Sequence, residues 1–138
     1  MSTFVKEISL STKGETDIVN ITEEVSKIVQ SSKIKDGQAL VYVLGSTASI
    51  SIIEYEPGLV KDLKDMFERI IPRDGTYAHH TKWGDNNGSA HIRASLIGSS
   101  QSFPLIDGKL VIGTWQQIIL VDFDTKPRDR KVIVSIVS

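Results

Sequence analysis

The dipeptide Asp107-Gly108 stands between two apolar runs, Phe103 to Ile106 and Leu110 to Phe123. An Asp-Gly pair tolerates the positive φ values of a two-residue hairpin turn, and both flanking runs are rich in strand-forming residues. The pattern predicts a β-hairpin whose second arm, Leu110 to Phe123, is one long strand. That strand is apolar on both faces apart from Gln116 and Gln117.

The rest of the chain supplies partners for it. Thr3 to Ser11 alternates with period two, and Thr16 to Ile21 reads as its hairpin partner beyond Lys13-Gly14-Glu15. Ala39 to Leu44 is apolar on both faces, hence a buried strand, and Ser49 to Glu54 resumes the alternation. Lys131 to Val137 closes the sheet. Helical spacing appears over 22–32, with Thr22 as N-cap and Glu23 and Glu24 in the first turn. It appears again over 58–70, where Leu59, Leu63, Met66, Phe67 and Ile70 form one stripe that Pro72 ends. Ser89 to Ile97 suits a third helix, capped by Asn87 or Ser89 and stopped by Gly98. Strands in meander order with two to three inserted helices make an α+β domain, mainly antiparallel sheet, and 138 residues suit a single compact unit spanning 1–138.

A hydrophobic content of 40% with no cysteine allows an unstapled core and excludes disulfides and thiolate metal sites. Sixteen basic against 17 acidic residues leave no basic footprint for nucleic acid. No apolar run is long enough to cross a bilayer, and the first residues lack a signal-peptide core. The expectation is a cytoplasmic protein with neither nucleic-acid nor membrane partners.

Polar chemistry concentrates between Tyr77 and Trp115, which hold all three histidines, both tryptophans and the loop Gly84-Asp85-Asn86-Asn87-Gly88. His79 and His91 are either a pair of metal ligands or, respectively, a surface loop residue and a helix-start residue. Asp85, Asn86 and Asn87 either orient a histidine or ligate a hard cation, or serve as turn residues. Gly45-Ser46-Thr47 offers N–H and hydroxyl donors to a phosphate, or is an ordinary bend. Glu54 ends a strand. One of Gln116 and Gln117 must point inward and find a partner. Arg128 and Arg130 read as turn and salt-bridge residues in preference to substrate clamps.

These residues together resemble the YjbQ-like family, also called the secondary thiamine-phosphate synthase enzyme family. The resemblance runs through Tyr77-Ala78-His79, Asp85-Asn86-Asn87-Gly88, Ala90-His91-Ile92 to Leu96-Ile97-Gly98, Pro104 and Asp107-Gly108-Lys109-Leu110. It continues through Gly113-Thr114-Trp115-Gln116 and Asp122-Phe123-Asp124, with Arg128 and Arg130. It implies a curled antiparallel sheet, a homotrimer, and a transferase activity that joins a pyrimidine methyl diphosphate to a thiazole phosphate with loss of pyrophosphate. Where the family has a histidine followed by hydroxyl residues, this chain has Gly45-Ser46-Thr47, and where it has Asn-Glu, this chain has Ile53-Glu54.

On that resemblance His79, His91, Glu54 and Asp85 are the catalytic candidates. Ser46, Thr47, Asn86, Asn87, Gln116 and Arg130 are the candidates for a small phosphorylated substrate, with Trp115 and Gln116 supporting the site. His79 and His91 are the candidate ligands of a divalent metal (Zn, Ni, Mn or Mg). Trimer formation is also expected from the apolar faces of the Leu110 to Phe123 strand. Two other readings remain: a catalytically degenerate phosphate- or metal-binding module, and a structural assembly protein.

Overall fold

The computed structural model describes residues 2–81 and 84–138, so Trp83 lies outside the described residues. Among the described residues eight strands run in the order β1 Thr3–Ser11, β2 Asp17–Asn20, β3 Gly37–Leu44, β4 Ala48–Ile53, β5 Ser100–Ile106, β6 Lys109–Leu110, β7 Gln117–Asp122 and β8 Asp129–Val137. Helix α1 (Thr22–Ser32) precedes β3, while α2 (Pro57–Ile70) and α3 (Gly88–Ile97) lie between β4 and β5.

The strands form two antiparallel sheets, ordered β1-β8-β3-β5-β6 and β2-β7-β4. One core lies between them: Ala39, Val41, Val43, Val132, Val134 and Ile136 of the large sheet meet Ile50, Ile118 and Leu120 of the small one, with Val25 and Val29 of α1. The small sheet's other face packs under α2 and α3, where Ile119, Val121 and Phe123 meet Phe67, Ala90 and Ala94. The result is three layers with β7 in the middle.

That placement accounts for the apolar character of β7, whose faces are both covered by this chain. Ile118 to Val121 are thus buried within the chain itself, so their apolar character does not require the intersubunit surface expected from sequence. The expected long strand is also interrupted. Beyond β6 the chain turns at Gly113, whose N–H donates to the Gln116 side chain at 2.6 Å, before β7 begins. The hairpin itself is present, with Ile106 paired to Lys109 and both turn residues at positive φ.

Four further expectations are corrected. β2 pairs with β7 rather than β1, because Gly14, Glu15 and Thr16 all take positive φ and swing the chain to the other sheet. The strand order is not a meander, since β8 enters between β1 and β3. β3 is buried on one face only, and Leu40, Tyr42 and Leu44 are exposed on the other. Thr22 does not cap α1: its hydroxyl donates to Asn20 at 2.7 Å and accepts from the Ile118 N–H at 2.8 Å. In α2 the cap is Glu56, whose carboxylate accepts from the N–H groups of Gly58 and Leu59.

Phe67 is the one large α2 side chain fully inside, 1% exposed and set edge-on to Phe123 at 4.8 Å. Phe67→Ala should lower stability by about 3–5 kcal/mol, measured by urea unfolding, because it leaves a cavity against Phe123 in the centre of the second core.

Candidate functional site

At one end of the sandwich the β3–β4 turn, the 3-10 turn Ala78–Thr81, the start of α3 and the β7–β8 connection converge. They enclose a cavity of about 360 Å³, open to solvent. Its floor is a lattice of two carboxylates and two arginines. Arg130 clamps Asp122 from both sides of its guanidinium fork, Nε to Oδ2 and Nη2 to Oδ1, each at 2.7 Å. The Thr12 hydroxyl donates to the same carboxylate. Asp124 accepts from Arg128 Nε at 2.8 Å, from the Thr47 hydroxyl at 3.0 Å and from the Thr125 N–H at 2.7 Å.

Burial pushes both carboxyls up, but the bonds they accept outweigh it. Arg130, Thr12 and the Asp124 amide hold Asp122 below its ordinary value of 3.8, and Thr125, Arg128 and Thr47 do the same for Asp124. A depressed carboxyl stabilises the fold above its unfolded pKa and loses that contribution as pH falls through its folded value. Acid unfolding is therefore expected below about pH 4. Asp122→Asn should cost about 3–5 kcal/mol at neutral pH, because it strands a buried guanidinium. The same variant should flatten the acid limb, followed by circular dichroism against pH.

Arg130 Nη1 takes part in none of these bonds. It faces Gly45, where a Cβ would lie 2.5 Å from it. Gly45 also has φ of +132°, a conformation that side chains avoid. The guanidinium thus fills the space that a side chain at 45 would take. Thr47 is 4% exposed, and its hydroxyl accepts from Arg130 Nη2 while donating to Asp124. Its proton is committed, so it braces the arginine and has none left for a ligand.

Across the cavity the rings of His79 and His91 meet edge to face, 4.6 Å between centres. Burial and then the charge of His79 push His91 below 6.5, with Asp124 and Asp85 pulling the other way. Asn87 is 3% exposed, and its Oδ1 has no hydrogen-bond partner among the described residues. It precedes α3 without capping it. His80 takes that part, its Nε2 accepting the Gly88 N–H at 3.0 Å, which leaves the ring's proton on Nδ1. Residue 88 is glycine because a Cβ there would strike Tyr77 and His80.

Of the residues singled out from sequence, Ser46, Thr47, His79, Asp85, Asn87, His91 and Arg130 line this cavity. Asn86, at φ +54°, is a turn residue of an adjoining cleft beside Arg73 and His80. Glu54 and Gln116 are elsewhere. β4 starts just after Thr47 and ends just before Glu54, so its six residues put Glu54 about 20 Å away. The pairing of Ile53 with Gln117 sets Gln116 and Trp115 at that same far end. Neither supports the pocket within one chain. Asp122, Asp124, Thr12 and Arg128 were not among the site candidates. The two-residue spacings Asp122/Asp124 and Arg128/Arg130 were the available signal, since alternate residues of extended chain share a side.

Among the described residues no group of three or more His, Asp or Glu side chains is placed to hold a metal. Two imidazoles without a third ligand do not fit a resident cation.

A family model described as UPF0047 protein YjbQ-like matches residues 6–138. The chain belongs to the UPF0047 (YjbQ-like) family. It is 38% identical over 136 residues to a UPF0047 protein of Methanothermobacter thermautotrophicus, covering 99% of this chain and 93% of that one. It is 33% identical to UPF0047 protein YugU of Bacillus subtilis, covering 91% and 93%. A YbjQ-like protein of unknown function from Sulfolobus solfataricus superposes with a TM-score of 0.92 at 36% identity, covering 98% and 96%. A hypothetical protein from Aeropyrum pernix gives 0.91 at 27%, covering 98% of each chain. Membership of UPF0047 thus fixes the architecture.

Proposed function

We propose that this UPF0047 protein is a cytoplasmic transferase that seats the diphosphate of a small organic molecule in the His79–His91 pocket. The observation that carries this is Arg130: a buried guanidinium, held by Asp122 and Thr47, with Nη1 facing Gly45 and outside the bonds that hold the other two nitrogens among the described residues. A phosphate oxygen there would meet a fixed donor, flanked by Arg128 and the exposed Ser46 hydroxyl. His91 and His79 stand opposite, where an imidazole can take up or release a proton.

The reaction that fits is of the thiamine-phosphate-synthase kind. The carbon–oxygen bond from a pyrimidine methyl group to diphosphate breaks, the thiazole nitrogen bonds to that carbon, and pyrophosphate departs with the electron pair. The pocket's part is to bear the growing charge on the leaving oxygens. A divalent cation would enter this scheme only alongside those oxygens, which would complete the two-histidine set, and copies of the chain would assemble as a homotrimer. A second reading, a binding module without turnover, is favoured by Gly45 standing where the family pattern has a histidine.

Calorimetry with inorganic pyrophosphate tests the anion site. One site per chain is expected, weakened about 10- to 100-fold in Arg128→Gln, as loss of a charge-assisted bond dictates. With His91 held below 6.5, the empty pocket carries it neutral at pH 7. Binding should therefore tighten and take up a proton as pH falls through that range, and His91→Ala should lose this dependence. No binding by the wild type would sink the anion reading. Pyrophosphate release from the pyrimidine diphosphate and thiazole phosphate pair separates transferase from binding module.

A further inference from the structure

Each arginine of the pocket already faces a carboxylate. Arg130 is paired with Asp122 at 2.7 Å and Arg128 with Asp124 at 2.8 Å, so their positive charges are answered within the floor. Asp85 is left over. It lines the same cavity and is exposed, and its carboxylate makes no hydrogen bond or ion pair among the described residues. Only its backbone carbonyl is engaged, accepting from the Thr125 hydroxyl at 3.2 Å.

Asn87, two residues further on, also has an acceptor to spare. It is 3% exposed, and its Nδ2 donates to Asp124 Oδ1 at 3.4 Å. That contact decides which way round the amide sits, because the reverse would set two oxygens against each other. Oδ1 is then the end without a partner among the described residues, and a buried amide oxygen left so is costly until a donor reaches it. The cavity therefore has two unlike walls. Arg130 Nη1, Arg128 and the Ser46 hydroxyl come from the β3–β4 turn and the β7–β8 connection, while Asp85 and Asn87 come from the loop that leads into α3. A bare phosphate suits the first wall and is repelled by the Asp85 charge on the second. No lining residue is aliphatic, so within about 360 Å³ a bulky apolar body finds little to contact.

We infer that the pocket selects small phosphorylated amines, the phosphate against Arg130, Arg128 and Ser46, and an ammonium a few bonds away between Asp85 and Asn87 Oδ1. The phosphate end rests on the anion reading, whereas the ammonium end rests on Asp85 and Asn87 alone. One N–H of the ammonium fills the empty acceptor of Asn87, and its charge answers the Asp85 carboxylate. Asp85 and Asn87 thus distinguish one phosphorylated compound from another, a choice the arginines cannot make.

Proton NMR titration of the histidine ring signals at neutral pH compares phosphoethanolamine with ethyl phosphate, which lacks the amine. EDTA is present, so that no metal supplies the positive charge. Phosphoethanolamine should bind about 10- to 100-fold more tightly, the worth of one charge-assisted bond. Phosphocholine keeps the charge without any N–H and should fall several-fold behind phosphoethanolamine. Asp85→Asn, at an exposed position, should abolish the advantage of the amine while ethyl phosphate binds as well as before or better. Loss of structure would weaken both esters instead. Ethyl phosphate or phosphocholine matching phosphoethanolamine on the wild type, or an Asp85→Asn protein that weakens both esters alike, would overturn the inference. Pyrophosphate titrated in the same way keeps the two readings apart. Its binding beside a failed amine preference leaves the anion reading standing, whereas binding of no phosphate compound removes both.

Discussion

The buried carboxylate of Asp122 holds this structure together in a way no apolar residue does. It closes β7, accepts from Thr12 after β1, and takes both arms of the Arg130 fork from the start of β8. Through Arg130 it also fixes Thr47 ahead of β4. One charged group thus ties both sheets at the end where the pocket lies. Its desolvation is offset only because every oxygen is occupied, which makes that end rigid and intolerant of partial loss. Arg130 is therefore held by structure before any ligand arrives, the condition for a donor that need not reorganise.

The parts of the fold legible in the sequence are those decided locally. Asp107-Gly108 needs only its own backbone to turn, and the α2 stripe needs only its period. Partner choice is not local. β2 was assigned to β1 because they adjoin in sequence, whereas three consecutive left-handed residues send it across the sandwich. β3 looked buried on both sides because Leu40, Tyr42 and Leu44 are apolar, yet their face is bare in the single chain. The strand expected from Leu110 breaks where a glutamine side chain replaces a partner strand as acceptor.

The site divides along the same line. His79, Asp85, Asn87 and His91 sit close in sequence and meet in space, and Ser46 joins them because the β3–β4 turn ends at the same edge. Glu54 and Gln116 do not, because a strand carries its two ends apart whatever motif spans them. His80 adjoins His79 in sequence but serves another end, its Nε2 accepting the Gly88 N–H at the start of α3. Gly45 stands at the rim of the pocket, facing Arg130. The space a side chain would take there is filled by the Arg130 guanidinium, which puts a cationic group at that position.

The position of β8 bears on how the chain reaches this state. The C-terminal strand lies between β1 and β3, paired residue by residue with both from Thr3↔Val137 to Leu44↔Lys131. Until it is in place the N-terminal strand has no neighbour in its sheet, and Asp122 has no arginine. The β1–β8 and β3–β8 pairings of the large sheet thus join residues far apart in sequence, contacts that form at high loop-closure cost. Until β8 is in place, β1 and the edge of β3 that faces it stay open, an interval in which pairing with another chain competes with folding.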